Sequence, residues 1–296
     1  MTAAVLNLPP TRDRKPLDVP VRHMTFDFDP ARADDRFYLR AELASAYFEA
    51  LSIFLTYGED LVIDTARHHR DLLTDPELKR RVTVLIGQEA IHSREHHVLN
   101  QLIDRQKYPV AEIEGKVRER VALARSRGPI GMLISTIALE HFTAMLADMH
   151  AEHQDLFNGV EPDIERLWRW HAMEETEHKA VAYDVFMEVT KGWSPFKRYM
   201  RRCVSMVIIT YMFTRNIAVY AARLLEADGY TPKAALKAVK AFLWKNPGLF
   251  RRGWKLYLAW FRPGFHPWDQ DNRALVAAWK AEFDALPARH AEAIPA

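Results

Sequence analysis

The sequence predicts an all-α protein whose core is a pair of long helical hairpins. Through most of the 296-residue chain, apolar residues recur at spacings of three and four over long stretches without proline. Prolines and glycines fall between these stretches, where they favour the starts and ends of helices. No stretch keeps the alternation of apolar and polar residues that a half-buried strand requires. We therefore expect helices alone.

The two hairpins are predicted from the positions of the helix-breaking residues. Asp75-Pro76 is typical of a helix start and divides the first hairpin, and Asn158-Gly159 is typical of a helix end and divides the second. A shorter, charged helix over 110–126 connects the hairpins. The four long helices are predicted over residues 38–69, 77–105, 130–156 and 161–191.

The chain is predicted to have three parts. Residues 1–36 contain several prolines among mixed charges and are expected to form an extended N-terminal arm. Residues 37–192 are expected to form the helical bundle. Residues 193–296 are expected to form a helical extension packed on the bundle, where it covers the bundle or a substrate entrance. Its helices are predicted near 195–227, 232–245, 247–261 and 270–286.

Two copies of the motif Glu-x-x-His stand in corresponding helices of the two hairpins. Glu89 and His92 form the first copy, and Glu175 and His178 form the second. In a helix, residues three apart lie about 60° and about 4.5 Å from one another, so both side chains of a copy can reach one ion. A single copy would be an ordinary surface pair, but two copies suggest the two halves of one site.

Each copy has a glutamate at matching depth in the helix that precedes it. Glu59 lies about as far before the first turn as Glu89 lies after it, whereas Glu49 lies much farther from the turn. Glu140 matches Glu175 in the second hairpin by the same reasoning. Ferritin-like four-helix bundles build a two-metal site from this pattern of four glutamates and two histidines. The sequence therefore predicts a ferritin-like bundle with additional C-terminal helices.

The predicted ligands favour iron, with manganese as the alternative. Four carboxylates balance the charge of two divalent ions, and oxygen-rich ligation with imidazoles suits Fe(II) or Mn(II). Structural zinc usually takes thiolates, and the chain has the single cysteine Cys203. The predicted cofactors are thus two iron ions, with O2 as the co-substrate.

Three further residues lie close to the predicted ligands. His171 precedes Glu175 by one helical turn, so it could be a third imidazole ligand, a hydrogen-bonded neighbour of a ligand, or an ordinary packed residue. His96 stands in a similar relation to His92, and a role as a hydrogen-bonded neighbour is favoured. Glu174 could accept a hydrogen bond from a ligand histidine and fix its orientation.

Longer blocks around these residues carry a family resemblance. Residues 87–96, 138–144 and 168–179, together with Gly58-Glu59, resemble the bacterial family whose members are labelled predicted metal-dependent hydrolases. The spacing is also similar to that of the para-aminobenzoate N-oxygenases, whose di-iron site has a histidine where His171 stands. Glu49 departs from the family pattern, which has a neutral residue there. The resemblance implies the ligand set Glu59, Glu89, His92, Glu140, His171, Glu175 and His178.

Composition and charge narrow the partners and the compartment. The formal net charge is +2, so nothing favours nucleic-acid binding. The N-terminus lacks the apolar region of a signal peptide, so a cytoplasmic protein is expected. The apolar run 203–214 is too short to span a membrane, but its basic flanks suit peripheral contact with a membrane or lipid. The remaining expected partners are a small-molecule substrate, an electron donor and a second copy in a homodimer.

Three functions are compatible with these patterns. The leading interpretation is a non-haem di-iron oxygenase or oxidase, an oxidoreductase that uses O2 on a small, hydrophobic organic substrate. In it, Glu59, Glu89, Glu140 and Glu175 would hold the ions at the catalytic centre. The alternative is a dinuclear metal-dependent hydrolase that uses a bridging hydroxide. The third is a non-catalytic ferritin-like metal-binding protein, which would have little need of the long C-terminal region.

Overall fold

A computed structural model describes residues 14–28, 42–152, 157 and 160–284. Within these ranges the chain is helical and has no strand, which confirms the all-α prediction. The expected starts of the first helix and end of the third fall outside the described residues. The α-helices are α1 (Glu42–Arg70), α2 (Pro76–Leu99), α3 (Val110–Arg125), α4 (Gly128–Glu152), α5 (Pro162–His178), α6 (Val181–Val189), α7 (Pro195–Ala227), α8 (Pro232–Trp244), α9 (Leu249–Arg252), α10 (Trp254–Ala259) and α11 (Arg273–Asp284).

Four helices form the bundle that carries the motifs. Helix α1 packs on α2, and α4 packs on α5, so each predicted hairpin is present. The hairpins meet because α1 also packs on α4 and α2 on α5. This ring of four helices encloses a common interior, and the arrangement is that of a four-helix bundle.

Local sequence explains how the second helix of each hairpin begins. The Asp75 carboxylate accepts a 2.9 Å hydrogen bond from the Glu77 amide, and Pro76 occupies the first turn, where no amide donor is needed. The Glu161 carboxylate caps α5 in the same way, with Pro162 following it. The helix starts predicted at these two sites are confirmed.

Two predicted helices were too long. The helix predicted to reach 105 ends at Leu99 and gives way to a 3₁₀ turn, Asn100–Leu102. Asn100 is buried, and its side-chain amide donates to the Thr56 hydroxyl of α1 at 3.0 Å. The helix predicted over 161–191 breaks at Lys179-Ala180. In both places a contact with a distant segment overrides the local preference for helix.

The side chain of Lys179 stabilises the break between α5 and α6 through contacts with a distant segment. Its buried ammonium donates to the Gln270 carbonyl at 2.8 Å and to the Asn272 side chain at 2.6 Å. Burial lowers the pKa of Lys179 to about 8.

The predicted helix over 247–261 is also divided, at Gly253, where an added Cβ would lie 2.7 Å from the Met149 sulfur. The last predicted helix begins at Arg273 rather than at residue 270.

Helix α7 joins the C-terminal region to the bundle. Helix α7 contacts α1, α4 and α8, and buried Arg202 donates to the carbonyls of Trp260 and Arg262.

By length and composition alone, Gly128–His150 and Pro195–Ala227 could cross a membrane. The apolar window is 67% buried in α4 but 44% buried in α7, so the bundle interior accounts for α4 better than for α7. The division into arm, bundle and extension stays a prediction.

Candidate metal centre

The structure brings all seven predicted ligands together in the interior of the bundle. The four helices of the bundle each contribute at least one, and every one of the seven is no more than 4% exposed. Helix α1 provides Glu59, α2 provides Glu89 and His92, α4 provides Glu140, and α5 provides His171, Glu175 and His178.

Glu175 occupies the centre of the cluster. Its Oε1 lies 3.0 Å from Nε2 of His171, 3.6 Å from Nε2 of His178 and 3.7 Å from Nδ1 of His92. One carboxylate oxygen is therefore within 4 Å of all three imidazoles. A carboxylate in this place could contribute to a metal site together with any of the three.

Glu89 reaches both sides of the cluster from the opposite hairpin. Its Oε1 lies 3.1 Å from Nε2 of His178, and its Oε2 lies 3.9 Å from Nδ1 of His92. The two glutamates of the Glu-x-x-His copies thus each stand between imidazoles of both hairpins. The carboxylates that precede them lie farther out, at opposite ends of the cluster.

Glu59 and Glu140 mark these two ends. Glu59 Oε1 lies 3.8 Å from Nε2 of His171, and Glu140 Oε2 lies 3.6 Å from Nε2 of His178. Among the described residues, three sets of side chains have ligand atoms within 4.8 Å of one another. They are Glu59–His92–His171, Glu89–His92–Glu175 and Glu89–Glu140–His178.

The imidazoles are unevenly divided between the ends. The His171 ring stacks on the His92 ring with centroids 4.2 Å apart, so both lie on the Glu59 side. His178 alone lies on the Glu140 side. An ion near Glu59 would therefore meet two imidazoles, and an ion near Glu140 would meet one.

Several ligand atoms have no hydrogen-bond partner within the described part of the chain. They include both Glu59 oxygens, Glu140 Oε2, Glu175 Oε2 and Nδ1 of His92, all buried. Buried polar atoms normally have partners, and leaving one without a partner is costly. Because these atoms are oxygen and imidazole donors that face one another, the cluster could hold metal ions.

Burial and the repulsion between neighbouring carboxylates shift the pKa values of several side chains in the cluster. Burial, and then the charges of Glu89 and Glu175, raise the pKa of Glu59 well above its usual value, and the pKa of Glu140 is raised in the same way. For His178, burial opposes protonation, but the charges of Glu175 and Glu89 prevail and raise its pKa. Two divalent ions would replace these protons as the balancing charge.

A single guanidinium supports two of the candidate ligand histidines from outside the cluster. Arg22, in the non-helical N-terminal segment, donates from Nη1 to Glu174 at 2.8 Å and to Glu177 at 2.7 Å. The other Glu174 oxygen lies 3.1 Å from Nε2 of His92. That contact orients the His92 ring so that Nδ1 faces the cluster.

The second branch of this network runs through Gln88. Its side-chain amide donates to Glu177 at 3.2 Å, and its carbonyl oxygen lies 3.2 Å from Nδ1 of His178. A carbonyl acceptor at Nδ1 requires the proton on that nitrogen and leaves Nε2 directed at Glu89 and Glu140. Arg22 thus acts on His92 through Glu174, and on His178 through Glu177 and Gln88.

His96 supports the third imidazole. Its Nε2 lies 2.8 Å from Nδ1 of His171, and its Nδ1 lies 2.9 Å from the Ser52 hydroxyl. Burial and the neighbouring imidazoles lower the pKa of His96, so it is neutral. Its position is that of a hydrogen-bonded neighbour of His171, and it belongs to none of the ligand sets found among the described residues.

Sequence reasoning missed Arg22, Gln88, Glu177 and Ser52. Gln88 and Glu177 each stand next to a motif residue, and that adjacency was the available signal. No local pattern marks Arg22, since its partners are 152 and 155 residues away. Glu49 is buried in α1 but belongs to none of the ligand sets found among the described residues.

An apolar pocket reaches the cluster between α1, α4 and α5. It comprises about 290 Å³ of space continuous with solvent and is bordered by the candidate ligands His171 and Glu175. The rest of its wall is mainly apolar, with Leu51 and Leu55 from α1 and Leu146 from α4. A second recess beside His178 is bordered by residues of the N-terminal segment and by Arg80 and Arg81. Of these two recesses, the pocket lined by the leucines is therefore the one suited to an apolar ligand.

His141 lies outside the cluster although it follows Glu140. Its ring packs against Trp260 and Phe265, with centroid distances of 4.6 and 5.3 Å. Burial lowers its pKa to about 3, so it stays neutral and serves the packing of the C-terminal region on α4.

The fold and the cluster together define a helical-bundle protein with buried carboxylate and imidazole groups able to hold metal ions. A comparison with protein families agrees with this class. The chain matches the family described as "predicted metal-dependent hydrolase" over residues 20–271, and it belongs to that family. No curated protein and no solved structure matches the chain significantly.

Proposed function

We propose that the protein is a dinuclear metal enzyme that uses two iron ions and O2 to oxidise a small, hydrophobic organic substrate. The observation that carries the proposal is the pair of glutamates that stand between the imidazoles, with a further buried glutamate at each end. Oxygen-rich ligation with imidazoles favours Fe(II) or Mn(II) over zinc. When bound, two such ions would supply the electrons and the coordination sites that O2 chemistry needs.

The chain's own residues would hold and shape this centre. Glu89 and Glu175 would hold the ions from the middle of the cluster, Glu59 with His92 and His171 would hold them at one end, and Glu140 with His178 would hold them at the other. Glu174, Gln88 and His96 would keep the three imidazoles in their ligating orientation, as partners of ligand histidines commonly do.

The apolar pocket would hold the substrate beside the centre. Its leucine side chains favour a hydrophobic molecule, and the exclusion of water would prevent side reactions during catalysis. Insertion of one oxygen atom from O2 leaves the other as water and consumes two electrons and two protons. A reduced electron-donor protein is therefore a required partner of the oxygenase, and an oxidase would take the electrons from the substrate instead.

The family description favours a second candidate, a dinuclear metal-dependent hydrolase. In that reaction the two ions would activate a water molecule for attack on a polarised substrate bond. The same seven residues would hold the ions, so the ligand geometry is shared by the two candidates. The largely apolar wall of the pocket is the feature that favours the oxygenase.

Anaerobic loading with Fe(II), followed by exposure to O2, tests the proposal. We expect about two irons per chain by elemental analysis and a magnetically coupled di-iron signal in Mössbauer spectra after oxidation. The Glu140→Gln variant is the matched control, since it removes one terminal carboxylate. A chain that loads two zinc ions, fails to consume O2 with iron and hydrolyses ester or phosphate substrates would establish the hydrolase instead.

A further inference from the structure

Helix α7 carries an exposed apolar stripe. Phe196, Met200, Val204, Val207 and Tyr211 are between 39% and 73% exposed. At about 100° per residue these five side chains fall within an arc of about 80°, so they form one continuous line. Surface apolar residues are usually scattered, and a line of five is characteristic of an interaction surface.

The charge beside the stripe has one sign. Helix α7 contains no acidic residue from Pro195 to Leu225, although it carries several basic ones. Three of these, Lys197, Arg201 and Arg215, are exposed. By helical position they lie along one edge of the stripe, about 20° to 60° beyond its last apolar side chain. An apolar line with a basic edge matches the interface of an anionic membrane.

An apolar groove opens at the same edge. It encloses about 670 Å³ of space continuous with solvent, between α7, α1, α3 and α4. Ile208 of α7 is 42% exposed and lines the groove, and Leu123 of α3, 47% exposed, faces it from the other wall. Arg120 and Arg127 are exposed at its rim. Apolar walls with guanidinium groups at the rim suit an acyl chain that ends in a phosphate.

We propose that this face of α7 lies on the surface of an anionic phospholipid bilayer. The helix lies on the membrane rather than across it, because its other face is packed against α1, α4 and α8. A lipid partner fits better than a second copy of the chain. Two copies packed through this face would bring their basic edges together, whereas anionic headgroups neutralise them. The inference does not depend on the proposed metal chemistry.

Sedimentation of the full-length, metal-loaded protein with vesicles tests the inference. Vesicles of phosphatidylcholine with phosphatidylglycerol should bind the protein, and vesicles of phosphatidylcholine alone should bind it much more weakly. The Val207→Glu variant places a charge in the stripe and should abolish binding. The control is Val98→Glu, since Val98 is similarly exposed, at 42% against 53% for Val207, but lies on α2. Control binding should equal that of the original protein.

A second pair of variants tests the charged edge. Arg201→Gln and Arg215→Gln should each weaken binding by about fivefold, since each basic group near an anionic surface contributes roughly that factor. Three outcomes would overturn the inference: no binding to anionic vesicles, equal loss in Val207→Glu and Val98→Glu, or binding unaffected by the arginine variants. A dimer in solution that Val207→Glu splits, without vesicle binding, would assign the face to a second copy.

Discussion

Arg22 holds Glu177 with two hydrogen bonds, Nη1 to Oε2 at 2.7 Å and Nη2 to Oε1 at 2.8 Å. The pairing joins the N-terminal segment to the same turn of α5 that carries His178. The arginine side chain is 12% exposed and the glutamate side chain 1%, so water contributes little to stabilising either charge. Burial opposes the charge of Arg22, but Glu177 and Glu174 prevail and raise its pKa.

Replacing Arg22 should weaken both the fold and the candidate metal centre. The Arg22→Gln variant leaves Glu174 and Glu177 buried without their cation, and loss of one partner from such a pair typically costs about 3–5 kcal/mol. Urea unfolding measures this loss. Arg80→Gln is the control, because Arg80 forms exposed ion pairs with Glu77 and Asp18, and exposed pairs contribute little to stability. Equal losses in the two variants would contradict the prediction.

Glu140 and Glu49 should differ in their effect on metal content. Both are buried glutamates, but Glu140 Oε2 faces His178 at 3.6 Å, and Glu49 is in none of the ligand sets among the described residues. Glu140→Gln should prevent loading of the second ion, whereas Glu49→Gln should retain both. Metal analysis by mass spectrometry after anaerobic loading measures the difference. Loss of an ion in Glu49→Gln, with the fold intact by circular dichroism, would show that Glu49 belongs to the metal site despite its distance from the turn between α1 and α2.

His171 and His96 should affect metal affinity to different extents. His171→Ala removes an imidazole whose Nε2 lies 3.0 Å from Glu175, and one ion should then be lost at micromolar metal concentrations. His96→Gln leaves that imidazole in place but changes its support, so affinity should fall by about 10- to 100-fold. A metal titration with competing chelator distinguishes the two cases. The order of the losses would be reversed if His96 were the ligand.

Metal affinity should rise with pH. Burial and the neighbouring carboxylates raise the pKa of Glu59 and Glu140, and Glu175 and Glu89 raise the pKa of His178, so without ions these groups keep their protons to a higher pH than ordinary glutamate and histidine side chains do. An entering ion must displace these protons, so lower pH opposes binding. Calorimetric titration in two buffers of different ionisation enthalpy counts the protons released. The count should fall in Glu140→Gln, and a release of no protons would contradict the assignment.

Much of the fold could be predicted because the residues that begin and end the helices are local signals. Asp75-Pro76 and Glu161-Pro162 begin helices through their own backbone chemistry. The break at Lys179 could not be predicted this way, since its cause is a contact with residues 270 and 272. Six of the candidate ligands follow from helical spacing and depth, and the family resemblance adds His171. The structure places all seven together, although their ligand role stays a prediction.

The uneven division of imidazoles could not be read from spacing. His171 and Glu175 share one helical face, but which end of the cluster His171 approaches depends on how α5 packs against α2, where the His171 ring stacks on His92. The Arg22 network was missed for a related reason. Periodicity describes one helix at a time, and this network joins a non-helical segment to two helices.

The sequence distance spanned by Arg22 has a consequence for how the protein is made in the cell. Arg22 leaves the ribosome 152 residues before Glu174 and 155 before Glu177. At about 5–20 residues per second, roughly eight to thirty seconds pass before its partners are synthesised. The Arg22 contacts with α5 can therefore close only after most of the chain has been translated. If the cluster holds metal, its capture by a fully supported centre would thus be a late event in biosynthesis.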